Sequence, residues 1–224
     1  MQGSGALVSQ GVALIRSYEY QTQYLFTRLD EIKPEIRKRN LLRFYTRLGA
    51  NFYAIHSLFF YLYGQREDFE EKLLRLVEVL ARNYINRAAD LKQQDVERER
   101  NHNWFLSQEL VGMALYTEGF GDNVQGVRKH LPYLQELGVN MVHVMPMMQC
   151  PEGASDGGYA VSDFRQIDAR VGTLEDVSSL AEALHNRDML LVLDVVVNHT
   201  SDEHEWARRS RNGERQYQDY YYIF

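Results

Sequence analysis

The sequence predicts an α/β fold in two parts: an all-α helical domain at the N-terminus, then β/α units with parallel strands. Three observations carry this. Between about Ser9 and about Asn103 there is a single proline, Pro34, and apolar residues recur at intervals of three and four, the spacing of a helix face. Near Asn103 the pattern changes to short apolar runs separated by helical stretches and glycine-rich loops. The longest run, Met189 to Val197, is rich in β-branched residues and ends abruptly in Asn198-His199-Thr200. It reads as a strand buried on both faces with polar side chains at its C-terminal edge, where α/β folds meet their ligands.

Residues 1–8, with Gly3, Ser4 and Gly5, read as a flexible lead. The helical domain spans 9–103. Pro34 suits the first turn of its second helix, whose inner face reads Leu41, Leu42, Tyr45, Leu48, Phe52, Ile55, Leu58, Phe59 and Leu62, with Gly64 as its stop. A third helix presents Phe69, Leu73, Leu74, Leu76, Val77, Leu80 and Ala81, and a fourth runs from Ile85 to about Arg100, its terminal Glu97-Arg98-Glu99-Arg100 a solvated face. The second part, 104–224, opens with a strand over Val111–Tyr116 and a loop at Thr117–Asn123. A helix over Val124–Leu137 follows despite Pro132, with Gly138 at its cap, then a strand from Asn140 to Pro146 and a loop over 147–172. Thr173-Leu174-Glu175-Asp176 is a capping-box variant opening a helix to about Asn186, before the strand at 189–197. Glu203 to Arg211 is again helix-prone.

A net charge of −6 gives no reason to expect nucleic acid or an anionic membrane as a partner. The single cysteine, Cys150, rules out an internal disulfide framework. No run approaches the ~20 apolar residues of a membrane span, and Met1–Leu14 lacks the pattern of a signal peptide, so a cytoplasmic location is expected. No cofactor is expected. Gly119, Gly121 and Gly126 have the wrong spacing for a dinucleotide fingerprint, and there is neither a phosphate-binding loop nor a Gly-x-Ser-x-Gly elbow. His143, Asp156, Asp194, Asn198 and His199 offer oxygen and imidazole donors but show no metal-ligand repeat, so no metal is expected. Cys150 has no base placed beside it in the sequence.

The polar residues worth following are few. Asp194 interrupts an apolar run, and a carboxylate inside a buried strand needs a partner. Asn198 and His199 stand four and five residues later, at the strand's end. Asp156, followed by two glycines and Tyr159, lies in the long loop at the same end of the sheet, as a candidate pocket floor with Tyr159 as its stacking platform.

Asp194-Val195-Val196-Val197-Asn198-His199 resembles the Asp-x-x-x-Asn-His signature of the α-amylase family of glycoside hydrolases. The runs His143-Val144-Met145-Pro146, Cys150-Pro151-Glu152-Gly153, Ser155 to Asp163 and Asp219 to Tyr222 extend the match, and with the helical module they resemble the front part of the amylosucrases. That resemblance implies the first three β/α units of an incomplete (β/α)8 (TIM) barrel, with 189–197 as strand three. It implies sucrose and α-glucan as ligands of the complete enzyme, which moves glucose from sucrose onto a growing α-1,4-glucan while close relatives only hydrolyse sucrose. His199 would contact the glucosyl ring and stabilise the transition state, Tyr159 would stack on that ring, and Asp156 would close the pocket floor through an arginine from later in such a chain. Asp194 and Asn198 would support the loop. The signature Asn binds calcium in many amylases; amylosucrases are generally calcium-independent, and no calcium is assigned here. The family's nucleophile and acid come from strands four and five, so the 224 residues alone are expected to be inactive. Their uncovered strand edge calls for the remainder of the barrel or for self-association. The alternatives are a sucrose hydrolase fragment, or a non-catalytic module binding sugar or a partner.

Overall fold

The computed structural model describes Tyr18, Gln23, Thr27 and residues 38–222. The expected lead at 1–8, the first helix and the role of Pro34 lie outside the described residues. Two compact units divide at Asn101/His102.

In the first unit, α1 (Lys38–Tyr63), α2 (Phe69–Asn86) and α3 (Ala89–Arg100) follow one another. Leu41, Phe44, Leu48 and Phe52 of α1 pack with Phe69, Leu73, Val77 and Ala81 of α2. Both stripes run at intervals of three and four. Full burial of a leucine such as Leu73 stabilises by about 1.5–3 kcal/mol. The stripes are narrower than the sequence implies. Leu42, Leu58 and Leu62 on α1 and Leu76 and Leu80 on α2 are exposed, because an apolar residue one position off the stripe turns about 100° away from it. Phe44 and His56, absent from the expected face, are buried; His56 sits among the rings of Tyr18, Phe52, Phe60 and Phe69. Ile85 belongs to α2 rather than opening the next helix, since the chain is extended at Arg87. Arg87 clasps Asp95 of α3 through two hydrogen bonds of 2.7 and 2.9 Å.

The second unit is built on a three-stranded parallel sheet, β1 (Gly112–Leu115), β2 (Met141–Val144) and β5 (Leu190–Leu193), with β2 in the centre. After β1 comes a short helix α4 (Thr117–Gly121), where a loop is expected. The expected single helix over 124–137 is two, α5 (Val124–Lys129) and α6 (Leu131–Glu136), meeting at His130. Pro132 is the cause: it has no N–H for the Arg128 carbonyl, and its ring crowds that turn. Gly138 keeps its expected place at the end, with φ at 79°. The loop at 147–172 contains a small antiparallel pair, β3 (Met148–Gln149) and β4 (Asp163–Ile167), with an irregular register. Helix α7 (Leu174–His185) starts on a complete capping box: the Asp176 amide donates to Thr173 Oγ1, and the Asp176 carboxylate accepts from the Thr173 amide. Val124, Val127, Leu131, Leu134, Leu180 and Leu184 from these helices bury themselves against Val142 and Val144 of the sheet. The chain closes with α8 (Glu205–Arg211) and α9 (Arg215–Gln218).

The strand expected over 189–197 is regular only at Leu190–Leu193, and it is not covered on both faces. Val192 and Leu193 are more than a third exposed, Val195 is 61% exposed and Val197 is 87% exposed. β5 is also an edge of the sheet, paired to β2, so its far backbone flank meets solvent as well.

Candidate active site at the strand ends

Parallel pairing brings the C-terminal ends of β1, β2 and β5 to one edge. Tyr116 leaves β1 there, Pro146 follows β2, and Asp194 is the first residue past β5. The 3₁₀ turn Asp156–Gly158 folds back over this edge: a side chain on Gly157 would meet the Tyr116 hydroxyl, and one on Gly158 would meet Pro146. With φ values of 65° and 93°, both positions favour glycine independently of that crowding.

Asp194 gathers two partners. Its Oδ1 lies 2.9 Å from His143 Nε2, and its Oδ2 accepts the Tyr159 hydroxyl at 2.9 Å. The His143 hydrogen bond, helped by that of Tyr159, holds the Asp194 carboxyl below the usual carboxylate range. An ionised carboxylate only accepts, so His143 Nε2 carries the proton. The same bond to Asp194 pushes the Tyr159 phenol above its ordinary value. The need of Asp194 for a partner was legible in the sequence; that the partners are His143 and Tyr159 was not.

Asn198 and His199 are both exposed, and the Asn198 amide donates to His199 Nδ1 at 3.3 Å. That contact leaves the proton of a neutral His199 on Nε2, a donor suited to a ligand hydroxyl. The loop carrying them is tied to the loop after β2 by the Ser201 amide donating to the Val161 carbonyl at 2.8 Å. Asp156 is exposed, with φ at 49°. The Tyr159 amide donates to the Asp156 carbonyl at 3.2 Å, but among the described residues no side-chain hydrogen bond links Asp156 or His199 to the Asp194 cluster. Tyr116, 45% exposed and close enough to Tyr159 to act on its phenol electrostatically, is a site residue that sequence reasoning passed over as the end of a strand.

Cys150 is buried, and burial pushes its thiol up, so it stays protonated, with the Met148 and Gly158 carbonyls as acceptors at 3.4 and 3.3 Å. Among the described residues no three His, Cys, Asp or Glu side chains converge as a metal site, and no helix is long and apolar enough to cross a membrane. Two grooves, of about 330 and 530 Å³, run along the helices and include Lys129 in both linings. The Asp194 cluster lines neither of these two.

Residues 87–224 match the family model described as alpha amylase, catalytic domain. An alpha-glucosidase of Schizosaccharomyces pombe is 50% identical over 95 residues, which is 42% of this chain and 16% of the relative. An oligo-1,6-glucosidase of Bacillus sp. (strain F5) is 41% identical over 106 residues, 47% of this chain and 20% of the relative. Among solved structures, the trehalulose synthase MutB of Pseudomonas mesoacidophila MX-45 aligns with a TM-score of 0.48 at 35% identity, covering 51% of this chain and 22% of that one. The chain thus spans about a fifth of the length of the curated relatives it matches. Its three parallel strands with their helices are the opening β/α units of the barrel, and the chain belongs to the α-amylase catalytic-domain family.

Proposed function

We propose that the chain is the front part of an amylosucrase-type α-glucosyl-transferring enzyme, and that its strand-end edge forms part of the pocket for the glucosyl ring being transferred. One observation carries this reading: the carboxylate of the Asp-x-x-x-Asn-His signature, Asp194, holds the hydroxyl of Tyr159 at 2.9 Å, beside the loop that bears His199. A pyranose ring presents flat C–H faces and a rim of hydroxyls. Tyr159 offers a surface for the former, and His199 Nε2 and Asp156 offer a donor and an acceptor for the latter. Asn198 keeps the His199 tautomer. No cofactor enters this chemistry.

In the complete enzyme the reaction is a double displacement through a covalent glucosyl intermediate, requiring a nucleophilic carboxylate and an acid roughly 5 Å apart. The residues proposed here bind and orient the sugar, and His199 strengthens its hold as charge develops on the ring. By the family resemblance, the acid and nucleophile would come from strands four and five of such a barrel. We also propose that the helical segment 9–103 is a domain separate from the barrel segment 104–224.

The test has two parts. The purified 224-residue chain mixed with sucrose is expected to release no fructose; sustained turnover would overturn the assignment of roles. A protein carrying this chain together with the remaining barrel strands is expected to release fructose from sucrose and deposit α-glucan. A second reading, a hydrolytic α-glucosidase, is favoured by the similarity to an alpha-glucosidase and an oligo-1,6-glucosidase. Isomaltose or maltose cleavage without glucan synthesis would decide for it.

A further inference from the structure

His143 is out of keeping with its strand. Its neighbours Val142 and Val144 are fully buried against the helices, and the alternation of a strand sends His143 to the opposite face. It stands on the central strand, in register with Ala114 on one side and Val192 on the other. From there its Nε2 reaches the first residue past the neighbouring strand, Asp194. The carboxylate is divided, one oxygen to the imidazole and the other to the Tyr159 phenol, both at 2.9 Å. Asp194 is itself beyond the regular part of β5, where no ladder bond holds it. Without His143 the carboxylate could rotate about its last torsion, and the bond to Tyr159 would no longer define a single ring position.

We infer that His143 is a positioning residue for Tyr159: by clamping one oxygen of Asp194, it fixes the pitch of the tyrosine ring against which a gluco-configured pyranose stacks. This rests on the sugar-stacking reading of Tyr159 given above. The clamp has two requirements, a neutral or charged N–H donor and enough length to cross from β2 to the end of β5. Glutamine meets both, asparagine only the first, and leucine, which has no donor, cannot form the clamp.

The test uses the 224-residue chain with ¹³C-labelled tyrosine rings, the Tyr159 signals assigned by their loss in Tyr159→Phe. In His143→Leu the Tyr159 ring signals are expected to shift and broaden. In His143→Gln they return most of the way to their wild-type positions, while His143→Asn stays with the leucine variant. Tyr84, in the other unit, serves as the reference signal and is expected not to move. Wild-type Tyr159 signals in His143→Leu, or equal displacement in the glutamine and asparagine variants, would overturn the inference. Should the leucine variant fail to fold, the contrast between glutamine and asparagine decides alone. Glucose titrated into the wild-type chain reads the other premise. Tyr159 signals that do not respond, with the glutamine–asparagine contrast intact, would overturn the stacking reading and leave the clamp in place.

Discussion

Asp168 and Asp194 show how much a single carboxylate can organise. Asp168 is 4% exposed, and its oxygens accept from Arg170 Nε at 2.8 Å, a second guanidinium nitrogen at 2.7 Å, and the backbone amides of Arg170 and Cys150. Arg170, followed by those amides, holds its carboxyl below the usual carboxylate range. A folded-state value below the unfolded one means that the stabilisation is present above about pH 4 and is lost as pH falls through the lowered value. Asp168→Asn should therefore cost about 1–3 kcal/mol at neutral pH. The gap in urea midpoint between the variant and the wild type should narrow as pH falls below about 4 and through the lowered carboxyl value; a gap that stays constant with pH would contradict this. At this scale the sequence was half legible. Asp194 stood out because a carboxylate in an apolar run must be compensated. His143 could not be read as its partner, because the two are far apart in sequence and meet only through the strand register. Tyr116 was missed for the same kind of reason: the proximity of a strand's last aromatic residue to a loop carried by the next strand has no local signature.

Helix and strand boundaries were legible wherever a local chemical rule governs them. The Thr173–Asp176 capping box is one such rule, and Thr173→Ala should lower stability by about 1 kcal/mol in chemical denaturation. Pro132 is another, although the sequence reading let the helix run through it. The antiparallel pair β3–β4 was invisible because Met148–Gln149 is too short to show an alternation. Close packing between elements was also out of reach. Gly121 and Gly126 lie with their backbones against each other at the junction of α4 and α5, and a Cβ on Gly126 would overlap Gly121 outright. Gly126→Ala should cost about 1–3 kcal/mol through forced backbone movement, despite the higher helix propensity of alanine. A thermal midpoint equal to that of the wild type would refute this.

For the whole molecule, the β/α class was readable because hydrophobic period switches from helical to strand-like near Asn103. The open flank of β5 was legible as well, because three parallel strands cannot close a barrel; the exposure of side chains along 192–197 was not, because an apolar run alone does not show which of its faces is covered. The exposed Val195 and Val197 should make the 224-residue chain associate as its concentration rises. Lysine at both positions should reduce that association in sedimentation velocity and change the unfolding midpoint little; undiminished association would place the contact elsewhere. The sheet order has one more consequence. Each crossover returns the chain to a strand already synthesised: β2 pairs with β1, and β5 with β2. Gln125 of α5 reaches forward to Asp176 at 2.7 Å, the residue that caps the next helix unit. A nascent chain leaving the ribosome N-terminus first can thus dock each unit on its predecessor before the following one exists.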